Sequence, residues 1–205
     1  MGRAVKQYNA AFGQLPMGTV PNSQLKPDER LSWIVSLLPY LDQALLYNQI
    51  HQEQTWNAPV NAPYTSPSIP MLLNPGQTTV ARPDGFGVTH YIGVAGVGED
   101  AATSPPYDKL GAFGYDRKVK IRDVADGLSN TIIIAEAFPD FGPWAQGGTS
   151  TIRALTMKPY INGPHKTGIQ VLLGDGAVRR ISQQVDPAVF EALLTIHGNE
   201  IVGGF

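Results

Sequence analysis

The chain has 205 residues, with 15 Lys and Arg against 17 Asp and Glu and a formal net charge of −2. A hydrophobic share of 42% supports a folded core, and the lack of a basic excess excludes nucleic-acid binding driven by bulk electrostatics. Cysteine is absent, which excludes disulfides, thiolate catalysis and cysteine-held zinc or iron–sulfur centres.

The 22 glycines and 17 prolines exceed the usual combined share of about 12% and predict a loop-rich domain rather than a helical bundle. The length fits one domain over 1–205. No run approaches the ~18 apolar residues of a membrane span, and no signal segment stands at the start. Met1-Gly2-Arg3 leads directly into a helical pattern, as a fragment cut inside a helix would. Targeting information is therefore expected upstream.

Val5, Tyr8 and Phe12 follow a helical spacing and predict the last turns of a helix over 1–12. Gly13, Pro16 and Gly18 end it. Residues 28–50 carry the clearest long helical pattern, with Leu31, Ile34, Val35, Leu38, Leu41, Leu45 and Leu46 on one face. Pro39 falls in its middle and predicts a kink or a second start. Residues 51–88 read as a long irregular excursion broken by six prolines, with Trp56, Tyr64 and Met71-Leu72-Leu73 as anchors.

Thr89–Val94 predicts a strand. Val119–Thr131 predicts a compact turn, leading into a buried central strand at Ile132-Ile133-Ile134-Ala135-Glu136. Phe138–Pro164 reads as loop. The strongest local signal follows: apolar runs flank Gly174-Asp175-Gly176 and predict a hairpin with strands near 168–174 and 177–182. Asp186-Pro187 predicts the cap and first residue of a last helix that stops near Gly198. Ile201-Val202 suggests a short edge strand.

Asp123, Asp126 and Glu136 lie in one compact stretch, and Asp175 could approach them. Calcium is the ion such oxygens suit, but the regular acid spacing of a calcium loop is missing, and carboxylates beside Gly127, Ser129 and Asn130 favour turn formation. The histidines are His51, His90, His165 and His197, with no pair at zinc spacing. His90 reads as a core hydrogen-bonding residue. A hydrolase using His165 or His90 with a carboxylate and Ser129 or Ser182 is conceivable, but neither serine sits in a nucleophile elbow. No phosphate-binding glycine loop is present.

Several stretches together resemble the DUF1559 proteins, a family of planctomycete-type bacteria with a prepilin-like N-terminus. WIVSLLPYLDQALLY at Trp33–Tyr47 resembles its proline-containing helix motif. Asp123–Glu136 resembles its D-[IV]-x-D-G-x-S-N-T-[IL]-x-x-x-E block. HKTGIQVLLGDG, from His165 to Gly176, resembles its H-x9-D-G signature, and Leu193–Gly203 its closing segment. Members often carry a Cys-Pro in the long loop; here the corresponding stretch, Met71–Pro75, has no cysteine.

The resemblance implies an α+β, pilin- or pseudopilin-like domain. Its N-terminal helix, here truncated, would pack on an antiparallel sheet with long loop insertions, a short C-terminal helix and no deep polar pocket. It implies a structural or assembly protein on the periplasmic or extracellular side of the cell envelope, membrane-anchored at full length. Its partners would be other pseudopilins, envelope proteins or copies of itself, met through the missing helix. It implies no enzyme activity and no cofactor. The alternative is an envelope module that binds glycan, peptide or protein through the long loops, with Trp56 and Tyr64 exposed.

Overall fold

The computed structural model describes residues 1–103, 105–138, 140–156 and 168–198. The fold is α+β. Helix α1 spans Gly2–Phe12, α2 Trp33–Leu37, α3 Ala44–Gln49 and α4 Ala62–Thr65, and α5 at Pro187–Ala192 closes the described chain. Strands β1 (Tyr91–Val94), β2 (Ile132–Glu136), β3 (Ile152–Arg153), β4 (Ile169–Leu173) and β5 (Val178–Ile181) form one open sheet in the order β3-β1-β2-β4-β5.

The sheet is mixed, which corrects the expectation of an antiparallel one. β1 pairs with β2, β2 with β4 and β4 with β5 antiparallel, but β3 runs parallel to β1, with Gly93 opposite Ile152. Strand β3 also falls in a stretch read as loop. Two residues are too short for a periodic pattern, and non-local pairing alone makes them a strand.

Both sheet faces are covered. On one, Ile133, Ile134 and Leu172 share a core with Ala4 and Val5 of α1 and with Trp33, Ile34 and Val35 of α2. On the other, Ile92, Val94, Ile132, Ala135, Val171 and Leu173 pack with Phe190, Leu193 and Leu194 at the end of the chain. The central strand β2 manages this double burial with a bulge. Ile132 faces Leu173 and Ile134 faces Leu172, so Ile133 is the extra residue and the alternation slips there. That slip accounts for the unbroken Ile132-Ile133-Ile134 run.

The expected long helix over 28–50 is three short pieces. Ser32 caps α2 by accepting from the Ile34 N–H at 3.2 Å. Pro39 sits in a 3₁₀ turn at Leu38–Tyr40, and Asp42 then takes a left-handed φ of 58°, which turns the chain into α3. The break rotates the apolar face, so Leu45, counted toward the core, stands 84% exposed.

The excursion over 51–88 is ordered without regular strands. The buried Asn61 amide accepts from the His51 N–H (2.8 Å) and donates to the carbonyls of His51 (3.0 Å) and Thr55 (2.9 Å). Leu72 is buried and its carbonyl accepts from the His90 N–H at 2.9 Å.

The hairpin forms as expected. Leu173 and Ala177 close a three-residue loop, and of Gly174, Asp175 and Gly176 only Gly176 takes a positive φ, 84°. Asp175 serves differently, accepting the Ala177 N–H at 2.8 Å on its carboxylate. Gly176→Val is expected to destabilise the domain by about 1–2 kcal/mol from backbone strain. A urea midpoint equal to that of the wild type would count against this. Helix α5 starts as read, with Asp186 accepting from the Ala188 N–H at 2.8 Å, but it ends at Ala192 rather than near Gly198. The suggested edge strand at 201–202 lies outside the described residues.

Candidate functional site

The block from Asp123 to Asn130 forms two 3₁₀ turns, Ile121–Asp123 and Leu128–Asn130, and it joins three parts of the fold. Asp123 accepts the Lys120 N–H at 2.8 Å. Asp126 accepts the Gly198 N–H at 2.8 Å and the Thr195 hydroxyl at 3.3 Å. The Ile196 carbonyl accepts from the Ala125 N–H at 2.8 Å, and the Leu193 carbonyl from the Ile132 N–H at 2.7 Å.

On the other side, the Leu128 carbonyl accepts from the Asp175 N–H at 3.1 Å, and the Thr131 carbonyl from the Gly174 N–H at 2.9 Å. Gly127 turns with a φ of 90°, the Asn130 amide donates to the Asp126 carbonyl at 3.1 Å, and Ser129 is exposed. The block is a clasp between the hairpin and the last segment of the described chain.

Glu136 is buried at the end of β2, within a second polar cluster. One carboxylate oxygen accepts from the Asn74 side-chain amide at 2.6 Å, the other from the Gln170 N–H at 2.9 Å. His90 lies beside it, also buried. Its Nδ1 accepts the Asn74 N–H at 2.8 Å, so in the neutral ring Nε2 carries the proton and donates to the Thr79 carbonyl at 2.7 Å. His90 is thus the core hydrogen-bonding residue expected of it.

The four acids therefore do not converge. Each is bound to different donors, and among the described residues no group of three or more His, Asp or Glu is placed to hold a metal ion. His165 lies outside the described residues.

Burial pushes the His90 pKa below its ordinary 6.5, against the smaller raising effects of its hydrogen bond to the Thr79 carbonyl and of the Glu136 charge. A depressed histidine pKa means the unfolded chain takes up the proton first. Its contribution to stability is present above 6.5 and is lost as the pH falls below it towards the folded value. Stability measured in urea is expected to fall between about pH 7 and pH 5, and the fall is expected to be shallower in His90→Gln. Equal slopes in the two proteins would sink this reading.

Trp56 and Tyr64 are the anchors they were read as, and the exposed aromatic groove of the alternative reading is not what they form. Trp56 is only 8% exposed and packs edge-on against Phe86 at 4.7 Å, and Tyr64 is half-buried against the same core. Both anchor the excursion, because a long loop stays ordered only through such contacts.

Two clefts remain. One, of about 220 Å³, is mostly apolar and lies between Met1, Gly2 and Met71 on one side and Tyr91, Leu172 and Val178 of the sheet on the other. The second, of about 500 Å³, is polar and open, between residues 79–83 and 140–153. The sequence reading did not single out its arginines, Arg82 and Arg153, because neither belongs to a motif or a charge run.

Residues 1–157 match the family described as protein of unknown function (DUF1559). The chain belongs to the DUF1559 family. Within this DUF1559 chain the matched stretch contains both the Trp33–Tyr47 motif and the Asp123–Glu136 block. The stretch from His165 to Gly176 lies beyond it. No curated protein and no solved structure matches the DUF1559 chain. Within the block the geometry assigns structural roles to Asp123, Asp126, Gly127, Asn130 and Glu136. In the Trp33–Tyr47 motif, Pro39 and Asp42 serve to break the helix.

Proposed function

We propose that this is the globular domain of a pilin-like assembly protein of the cell envelope, exposed on the periplasmic or extracellular side. The observation that carries the reading is the setting of α1. It lies on the sheet through one face, with Ala4 and Val5 buried, and its first turn rests on the hairpin. A Cβ on Gly2 would meet Leu172 at 2.9 Å, and the Lys6 side chain covers Gly176. In this reading α1 belongs to an assembly helix that meets other pseudopilins or further copies of the protein.

The test is made on the natural gene product, tagged at the C-terminus in its source cells. The expected result is recovery in the envelope fraction, with a mature N-terminus upstream of Met1 and an apolar helix between them. A mature chain beginning at Met1 in the soluble cytoplasmic fraction would overturn the proposal. Among the described residues no helix is long and apolar enough to cross a membrane.

A further inference from the structure

We propose that the polar cleft between residues 79–83 and 140–153 binds a saccharide bearing a carboxylate, with Arg153 as its anchor. The cleft holds about 500 Å³, within the range of small-ligand sites. Arg153 stands on β3, and its carbonyl accepts from the Ala95 N–H at 2.8 Å, which fixes its backbone. Its side chain is half-buried and oriented by its own chain, with Nε donating to the Thr149 carbonyl at 2.7 Å and Nη2 to the Ser150 carbonyl at 3.4 Å.

Both of these partners are neutral carbonyls, and no carboxylate of the described residues forms an ion pair with Arg153. Nη1 and the second Nη2 hydrogen are left for a ligand, and this planar pair of donors suits a carboxylate.

The other lining groups define the rest of the ligand. Arg82 is paired with Asp84 at 3.1 Å, and Asp140 is exposed at the cleft. With Arg82 held by Asp84, Arg153 is the cationic group the lining offers without a carboxylate partner among the described residues, and a ligand with one acidic group fits it. Asp140, Thr79 and Thr149 supply acceptors and donors for sugar hydroxyls, and the Phe141 ring supplies an apolar face for the C–H side of a sugar ring.

The walls are set before any ligand arrives. His90 holds the Thr79 carbonyl at 2.7 Å, and its ring lies 4.3 Å from that of Phe141. Such preorganisation lowers the ordering cost of binding. The inference does not rest on the reading of α1.

Calorimetric titration of the 205-residue chain with cellobiouronic acid tests it, with cellobiose and inorganic phosphate as the comparison ligands. Cellobiouronic acid is expected to bind saturably, and cellobiose and phosphate each at least about tenfold more weakly. Arg153→Gln is expected to lose about tenfold or more, and Arg153→Lys nearly as much, because the ammonium keeps the charge but loses the fork. Urea midpoints establish that each variant is folded. If Arg153→Gln is not, Arg153→Lys carries the comparison, with weakened binding expected. No binding up to about 10 mM, phosphate binding as tightly as the acid, or unchanged affinity in the folded Arg153 variants would each overturn the proposal.

Discussion

Arg117→Ala is expected to lower the stability of the domain by about 2–4 kcal/mol, a large share of what holds a domain of this size together. The guanidinium gathers four backbone carbonyls from the loop between β1 and the 121–123 turn. Nη1 donates to Phe113 (2.7 Å), Gly111 (3.0 Å) and Ala95 (3.2 Å), and Nη2 to Ala101 (2.6 Å). Burial lowers its pKa to about 10, so it stays charged at neutral pH. Each of these bonds has a charged donor; removing it strips the Gly111, Phe113 and Ala101 carbonyls of that donor, while the Ala95 carbonyl keeps the Gly111 N–H at 2.8 Å. Arg117→Lys is expected to keep less than half of the stabilisation, because one ammonium cannot span four acceptors. Urea unfolding with hydrogen exchange over residues 95–113 reads both. A variant with the wild-type midpoint and unchanged exchange in that loop would show that the carbonyl cluster is not what orders it.

Trp33→Ala is expected to cost about 3–5 kcal/mol, the range for removing a large side chain from a packed core. Trp33 is fully buried where α2 meets the sheet, with its ring 5.0 Å from that of Phe113. Its indole N–H donates to the Thr151 carbonyl at 3.0 Å. Thr151 precedes β3, so this single side chain ties the helical layer to the parallel edge of the sheet. Trp33→Phe separates packing from the hydrogen bond. The Thr151 carbonyl also accepts the Gly93 N–H at 2.9 Å and keeps that partner, so about 1–2 kcal/mol is expected. Equal losses in the two variants would mean that the hydrogen bond, not the ring's volume, dominates.

These two residues also mark how far the sequence could be read. Trp33 was legible as part of a helix and a motif, but nothing around it names Thr151 as its partner. Arg117 was invisible, because its partners are backbone carbonyls, which every residue has. The hairpin and the buried central strand were legible because turn chemistry and apolar runs are local. The last helix was legible in its cap and not in its end, since Leu193 and Leu194 are drawn into the sheet's far face rather than a further helical turn.

The acids of the 123–136 block were legible as turn formers, and three of the four candidate carboxylates accept backbone N–H groups in or beside turns. Which segment each one grips, the terminal stretch for Asp126 or the β4 backbone for Glu136, depends on contacts far apart along the chain. Trp56 was legible as an anchor, but its partner was not, for the same reason. Aromatic residues in a proline-rich excursion look alike in sequence whether they face solvent or Phe86.

The resting place of α1 has a consequence for how the protein is made. An 11-residue helix is marginal in water by itself. Its contacts with Leu172 and Gly176 wait for residues about 170 positions downstream of Gly2 and Lys6. At a synthesis rate of about 5–20 residues per second, roughly 8–34 s pass before the ribosome has produced them. During that interval Ala4 and Val5 have only the α2 region, about 30 residues downstream, to rest on, and their cover from the sheet is missing. The nascent chain therefore presents an apolar segment long enough in time for a chaperone or an export factor to bind it before the domain closes.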